Sequence, residues 1–255
     1  MPFDGIFLYK VVENLNKELT GARINKIGMP GDSEVAIIFN SKKKLLINID
    51  SNMPHITLTN DVGTNPDNPP NFLLFLRKYL QKGIINKITQ HGLDRVVTFE
   101  ITSFDDIGYR REYKLIVEIM GKHSNIILVD SQGIIVDAIK RITPDLSSKR
   151  LILSGLKYNY FDNGKIDFRT NDFNFLNDEF SLIDEKKIYS KYEGFSPILA
   201  SYLLNNCKNT NDLNILSKEI LNSNSTFLFT KDNIPSDFHI VNFDDSGTEY
   251  ENIFE

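Results

Sequence analysis

The stretch IINKITQHGLDRVVTFEITSFDDIGYRREYKLIVEIMGKHSNIILVDSQGIIVDAI, residues 84–139, decides the fold. Runs rich in Ile, Val, Leu, Phe and Tyr at 84–90, 96–102, 113–120, 125–129 and 134–139 are separated by short segments built on Gly, Asp and Ser. Branched and aromatic side chains suit a pleated, half-buried surface, and the intervals are too short for crossover helices. An antiparallel meander is the economical arrangement. In a meander alternate turns share one end of the sheet, so HGLD at 91–94 and GKHS at 121–124 are neighbours, with the DDIG and DSQG turns at the far end. Asp94, Arg95, Lys122 and His123 are therefore expected together.

Upstream, residues 4–19 space Ile6, Phe7, Val11, Val12, Leu15 and Leu19 as one helical face, with Gly21 as a stop. Apolar runs at 34–39 and 44–50 around NSKKK predict a hairpin, followed by an extended piece at 55–59. The loop NDVGTNPDNPP precedes a helix over 71–81, whose face is Phe72, Phe75, Leu76, Tyr79 and Leu80. Gly83 is its expected terminator, and Arg77 and Lys78 read as a solvated face. Downstream, the Asn- and Asp-rich residues 143–182 read as a connector holding a domain boundary. Helices follow within 180–221, on either side of the turn EGFSP, with Ser196 as cap and Pro197 at the first helical position. Extended pieces at 226–230 and 238–243 precede an acidic end. The fold class is α+β.

With 255 residues, 41% hydrophobic and 25% charged, the chain has enough apolar material for a sizeable core. No apolar run approaches the roughly 20 residues of a membrane span, and MPFDGIFLYK lacks the pattern of a secretory signal, so a cytoplasmic protein without membrane attachment is expected. The single Cys207 excludes an intramolecular disulfide and a multi-thiolate zinc site from this chain alone. His55, His91, His123 and His239 show no HExxH spacing, so neither a metal nor a cofactor is expected. The net charge of −5 divides unevenly: residues 1–160 carry +4 and residues 161–255 carry −9. A polyanion would meet the first segment sooner.

Asp94 and Arg95 admit two readings: a turn-shaping Asp beside an ion-paired Arg, or a guanidinium that contacts phosphate or a base edge beside a carboxylate that orients it. Gly121, Lys122, His123 and Ser124 are either an ordinary hairpin tip or a set of donors to an anion. EGFSPILA at 193–200 resembles the hairpin of a helix-hairpin-helix, in which Gly194 and Ser196 are candidate phosphate contacts. Asp184, Glu185 and Glu193 would repel that phosphate, which makes packing the competing role. Tyr9, Phe72, Phe75, Tyr79, Phe99 and Tyr113 lie on apolar faces and are expected in the core rather than stacked on bases.

The segments FDGIFL, GARINKI, NPPNFLLFLRKYLQKGII, GLDRVV, EIMGKHSNIILVD and EGFSPILA together resemble the NFACT family, which includes bacterial RqcH, eukaryotic NEMF and proteins first labelled fibronectin-binding protein A. The resemblance implies an N-terminal domain like that of formamidopyrimidine-DNA glycosylases over 1–170, a helix-hairpin-helix domain over 171–224, and an extended segment at 225–255 leading toward a coiled coil. It implies partners: the large ribosomal subunit carrying an obstructed nascent chain, and tRNA, in bacteria alanyl-tRNA, recruited for template-free extension. The family's Asp-Arg pair falls on Asp94 and Arg95, and its EIMG(R/K)H segment on Glu118, Ile119, Met120, Gly121, Lys122 and His123. Lys122 stands where many bacterial members carry Arg, which forfeits bidentate contact.

Two other functional classes follow from the same resemblance. The glycosylases use an N-terminal proline amine as nucleophile followed by glutamate, but here Phe3 follows Pro2, so no catalytic residue and no enzyme activity are expected. The fibronectin-binding label raises adhesion to fibronectin or fibrinogen, against which stands the absence of an export signal.

Overall fold

The computed structural model describes residues 3–147, 150–175 and 180–254. Helix α1, Gly5–Leu19, starts where the Asp4 carboxylate accepts the Phe7 N–H at 2.9 Å. That side chain satisfies a backbone donor the first turn cannot pair by itself. Ile6, Leu8, Leu15 and Leu19 are fully enclosed, each worth about 1.5–3 kcal/mol relative to exposure. The chain leaves the helix through Gly21 at φ +81°.

Strands β1 (Ile24–Gly28), β2 (Glu34–Phe39), β3 (Lys44–Asn48) and β4 (His55–Leu58) form an antiparallel sheet in that order. The expected hairpin is β2–β3. Helix α2, Asn71–Leu80, follows with Pro70 at its cap. Two expectations about α2 are corrected. Arg77 is half-buried, and its Nε–H donates to the Ile27 carbonyl at 3.0 Å, tying the helix to β1. The left-handed residue after the helix is Lys82 at φ +68°, while Gly83 is needed for room, because a Cβ there would lie 2.9 Å from the Ile101 side chain.

Strands β5 (Ile84–Gln90), β6 (Val96–Phe104), β7 (Arg110–Glu118), β8 (Asn125–Asp130) and β9 (Ile135–Ala138) make the meander, antiparallel throughout and in chain order. Val96 pairs with Glu118 and Glu118 with Asn125, so the turns at 91–95 and 119–124 share one end of the sheet. Helix α1 lies against β5, where Asn16 accepts the Ile88 N–H at 2.9 Å and donates to the Ile88 carbonyl.

The described part of the 143–182 connector contains no strand or α-helix, but backbone bonds hold it in place. Ile142 and Ile152 exchange hydrogen bonds, the Ile135 N–H donates to the Leu156 carbonyl, and Ile166 bridges Tyr192. Helices α3 (Glu185–Lys191), α4 (Pro197–Asn206) and α5 (Thr210–Asn222) follow, α4 capped by Ser196 with Pro197 in its first turn. Beyond them the extended pieces expected at 226–230 and 238–243 belong to a sheet, the first coinciding with a strand and the second overlapping the end of another. Strands β10 (Thr226–Lys231), β11 (Ile234–His239) and β12 (Thr248–Tyr250) form a sheet of order β11-β10-β12.

One cluster of buried apolar side chains runs from α1 through both larger sheets to Phe168, α3–α5, Ile240 and Val241. Phe238 packs on Phe7 with ring centroids 5.0 Å apart, which seats the last sheet against α1. Phe72 and Phe99 are core residues; Tyr9, Phe75, Tyr79 and Tyr113 are partly buried against it. Among the described residues no helix is long and apolar enough to cross a membrane.

Candidate nucleic-acid interface

Three glycine-bearing motifs meet at the start of α1. A Cβ on Gly5 would lie 1.9 Å from the Leu93 carbonyl oxygen and 2.7 Å from the Gly194 Cα, so only glycine allows the three backbones to approach. The Ile6 N–H donates to the Gly194 carbonyl at 3.2 Å, and the Gln90 amide donates to the Gly5 carbonyl at 2.8 Å and the Asp94 carbonyl at 2.9 Å. Glu193 reaches across to accept the Leu93 N–H at 2.9 Å, beside Gly92 at φ +57°. This carboxylate, which the sequence suggested would repel phosphate, has a structural partner.

That convergence fixes the turn carrying Asp94 and Arg95. Asp94 accepts the Arg95 N–H at 2.7 Å, and both side chains are half-exposed. They line a cleft of about 290 Å³ with Asn163, Lys165 and Glu193. Lys165 donates to the Tyr189 carbonyl at 2.7 Å. Burial lowers the pKa of its ammonium, an effect that the carboxylates of Asp94 and Glu193 oppose.

The second turn is joined directly to the first: the Ile119 N–H donates to the Arg95 carbonyl at 2.8 Å. Gly121 (φ +58°), Lys122 and His123 then form a single 3-10 turn. Buried Ser124 accepts the Met120 N–H at 2.8 Å, closing it. Lys122 and His123 are exposed, and Met120 and Gly121 are partly so.

Not every expected contact residue faces solvent. Glu118 is 1% exposed and Ile119 lies in the core. Glu118 binds the Arg150 guanidinium with both oxygens and accepts the Tyr158 hydroxyl at 2.7 Å. Burial, then the Glu118 charge, pushes the Tyr158 pKa far up. Glu118 thus holds the 150–160 segment onto the sheet end, a role no strand periodicity foretells.

Ser196 is also committed internally. Its hydroxyl donates to Asp4 at 2.7 Å, and His239 Nε2 lies 3.2 Å from the same carboxylate oxygen. Burial alone would raise the Asp4 pKa, but the charge and hydrogen bond of His239, with the Phe7 N–H and the Ser196 hydroxyl, hold it below the usual carboxylate range. Gly194 contributes its carbonyl to α1. The Ser196 hydroxyl and the Gly194 carbonyl are thus both bonded to the start of α1. Pro2, the other nucleophile considered, lies outside the described residues. No group of three or more potential metal ligands occurs among the described residues.

The residues that sequence reasoning missed are Arg150, Tyr158, Tyr160 and Lys165. The one available signal was the pair of tyrosines in KYNY at 157–160, two apart as on one face of an extended chain.

A chain with this meander, this glycine junction and these two adjoining turns defines a class. Residues 4–253 match the family described as NFACT N-terminal and middle domains, and the chain belongs to it. It is 40% identical over 162 residues to the Rqc2 homolog RqcH of Bacillus subtilis and 43% identical over 162 residues to that of Streptococcus suis. Those matches cover 62% of this chain but 28% and 29% of the relatives, so the alignment spans under a third of the curated proteins' length. Among solved structures, the N-terminal part of the fibronectin/fibrinogen-binding protein from Streptococcus suis superposes with a TM-score of 0.87 at 31% identity, covering 99% of this chain and 96% of that one. The fibrinogen binding protein from Staphylococcus aureus gives a TM-score of 0.80 at 27% identity, covering 100% and 97%.

Proposed function

We propose that this chain is the tRNA-binding part of a ribosome quality-control factor, which recruits tRNA, alanyl-tRNA in bacterial members, to large subunits carrying an obstructed nascent chain. The observation that carries the reading is the Ile119-to-Arg95 backbone bond. It fastens the Asp94–Arg95 turn beside the Met120–His123 turn, so two motifs far apart in sequence form one exposed edge. Arg95 and Lys122 supply charge for phosphate or base edges, and Asp94 orients or accepts from a base amino group. Glu118 and Ile119 act beneath that edge by positioning it. The module works by binding, with no covalent step.

The finer architecture belongs to the same proposal: a glycosylase-like domain over 1–170, and α3–α4 as the helix-hairpin-helix of a second module over 171–224. The structural neighbours named as fibronectin- or fibrinogen-binding support a second reading, adhesion, which immobilised fibronectin and fibrinogen would test directly.

The decisive experiment replaces Asp94 and Arg95 by Ala and measures tRNA binding by filter retention alongside thermal unfolding. Loss of a charged contact costs about 1.5–3 kcal/mol, roughly ten- to a hundredfold in affinity, while an exposed pair gives only about 0–1 kcal/mol of stability. Binding is expected to fall with the unfolding temperature nearly unchanged. Retained binding in a folded double variant ends the proposal.

A further inference from the structure

The segment joining the meander to the helices places a pair of flat rings at the surface beside the Asp94–Arg95 turn. The Tyr160 ring stacks on His91, with centroids 4.1 Å apart and planes within 6°. His91 opens the turn that carries Asp94 and Arg95. Tyr160 is 39% exposed, and His91 is exposed as well. Burial does not account for this stack, since both rings keep a large share of their surface in water.

One hydrogen bond and one buttressing ring hold the stack in place. The Tyr160 hydroxyl lies 3.0 Å from Thr98 Oγ1, Tyr158 meets Tyr160 edge to face at 5.2 Å, and Tyr158 itself is held by buried Glu118. A pre-ordered aromatic presents area at little conformational cost on binding. Next to it lies a cavity of about 410 Å³ lined by Arg150, Lys157, Asn159, Tyr160, Phe161 and Asp162. Phe161 is 53% exposed, adding a second ring at the mouth. The cavity therefore combines the open ammonium of Lys157, the paired guanidinium of Arg150, one carboxylate, an amide, two accessible rings and the side chains of Leu151 and Leu156.

We propose that Tyr160, backed by His91, is a stacking platform for an unpaired RNA base, with Lys157 facing the adjoining phosphate. The inference rests on the tRNA reading of the same sheet end and extends it to the connector. The ligand is an RNA with exposed bases, because a paired helix hides the faces that a ring needs. Arg150 is paired with Glu118 and lies over the Tyr158 ring, so it steadies the platform from behind, and the open cation beside it is the exposed Lys157.

The test uses the 255-residue chain with two probes, an RNA stem-loop and the blunt duplex of the same stem. Variants Tyr160→Leu and Tyr160→Phe are compared by fluorescence anisotropy, after thermal unfolding verifies that each is folded. Tyr160→Leu is expected to lose roughly tenfold in stem-loop affinity, the scale of one base–aromatic stack. It should leave duplex binding unchanged, and Tyr160→Phe, which keeps the ring and loses the Thr98 contact, should bind the stem-loop like the parent. Unchanged stem-loop binding by Tyr160→Leu overturns the platform, as do equal losses on both probes or equal losses in both variants. Asp94→Ala with Arg95→Ala separates the two ideas. If that variant binds tRNA normally while Tyr160→Leu fails on the stem-loop, the parent reading falls and the platform stands; the reverse pattern removes the platform alone. A chain that binds neither stem-loop nor tRNA ends both.

Discussion

The Asp4–Ser196–His239 cluster and the Gly121–Ser124 tip use similar side chains for opposite ends. In the first, carboxylate, hydroxyl and imidazole are all buried and bond one another, joining α1, α4 and β11. In the second, the hydroxyl of Ser124 closes the turn from inside while Lys122 and His123 project into solvent. Polar groups that satisfy each other in the interior hold the molecule together, whereas polar groups on a rigid, externally presented turn remain available to a partner. The distinction separates polar groups committed to the interior from polar groups left open to solvent more sharply than residue type does.

The largest expected effect lies in the buried cluster. Replacing Asp4 by Ala leaves the Ser196 hydroxyl, the Phe7 N–H and His239 without their shared acceptor, and breaking such a buried pair costs about 3–5 kcal/mol. Urea unfolding should show that loss, with tRNA affinity preserved under conditions where the variant stays folded. The pH dependence has a definite sign. The folded Asp4 pKa is depressed, so the unfolded chain binds the proton more readily and stability rises with pH. The contribution is complete above the unfolded value of about 3.9 and is lost as pH falls through the folded value. A parent-minus-Asp4→Asn difference that grew on acidification would contradict this account.

A smaller effect is expected beneath the two adjoining turns. Glu118→Gln keeps the shape but removes the charge that holds Arg150 and Tyr158, at a cost of about 1.5–3 kcal/mol. Hydrogen exchange should also speed at the backbone amides of residues 152–158, since the Glu118 carboxylate is what ties Arg150 and Tyr158 to the sheet end. A variant with the parent's unfolding midpoint and exchange rates would show that Glu118 does not anchor the 150–160 segment.

Much of this was legible in the sequence, for reasons tied to particular residues. The strands of the meander lie within three residues of their expected bounds because β-branched runs end at Gly92, Gly108, Gly121 and Gly133, all at positive φ. The adjacency of the two turns followed from topology alone. Strand β1 escaped because Asn25 and Lys26 fall at its exposed positions and break the apolar alternation. The final sheet is legible only as extended pieces, and its seat against α1 rests on contacts of Phe238 and His239 with Phe7 and Asp4 from the other end of the chain. Glu118 illustrates the deeper limit. It was expected among the tRNA contacts, and its inward orientation is intelligible only once Arg150 and Tyr158, from a segment without periodicity, are seen folded over it.

The smallest effect on stability, and a separable effect on binding, is expected at the tip itself. Lys122 and His123 are exposed and lie outside the apolar core, so Lys122→Ala with His123→Ala should change the folding free energy by no more than about 0.5 kcal/mol. If Lys122 meets an RNA phosphate, its removal should weaken binding to any RNA sequence alike and reduce the slope of log affinity against log salt by about 0.7–0.9. A contact to a base edge would behave differently, lowering affinity for some sequences far more than others while leaving the salt slope almost untouched. Titrating tRNA at several salt concentrations against parent and variant distinguishes these cases. An unchanged affinity at every salt concentration would remove Lys122 and His123 from the interface and confine recognition to the Asp94–Arg95 turn.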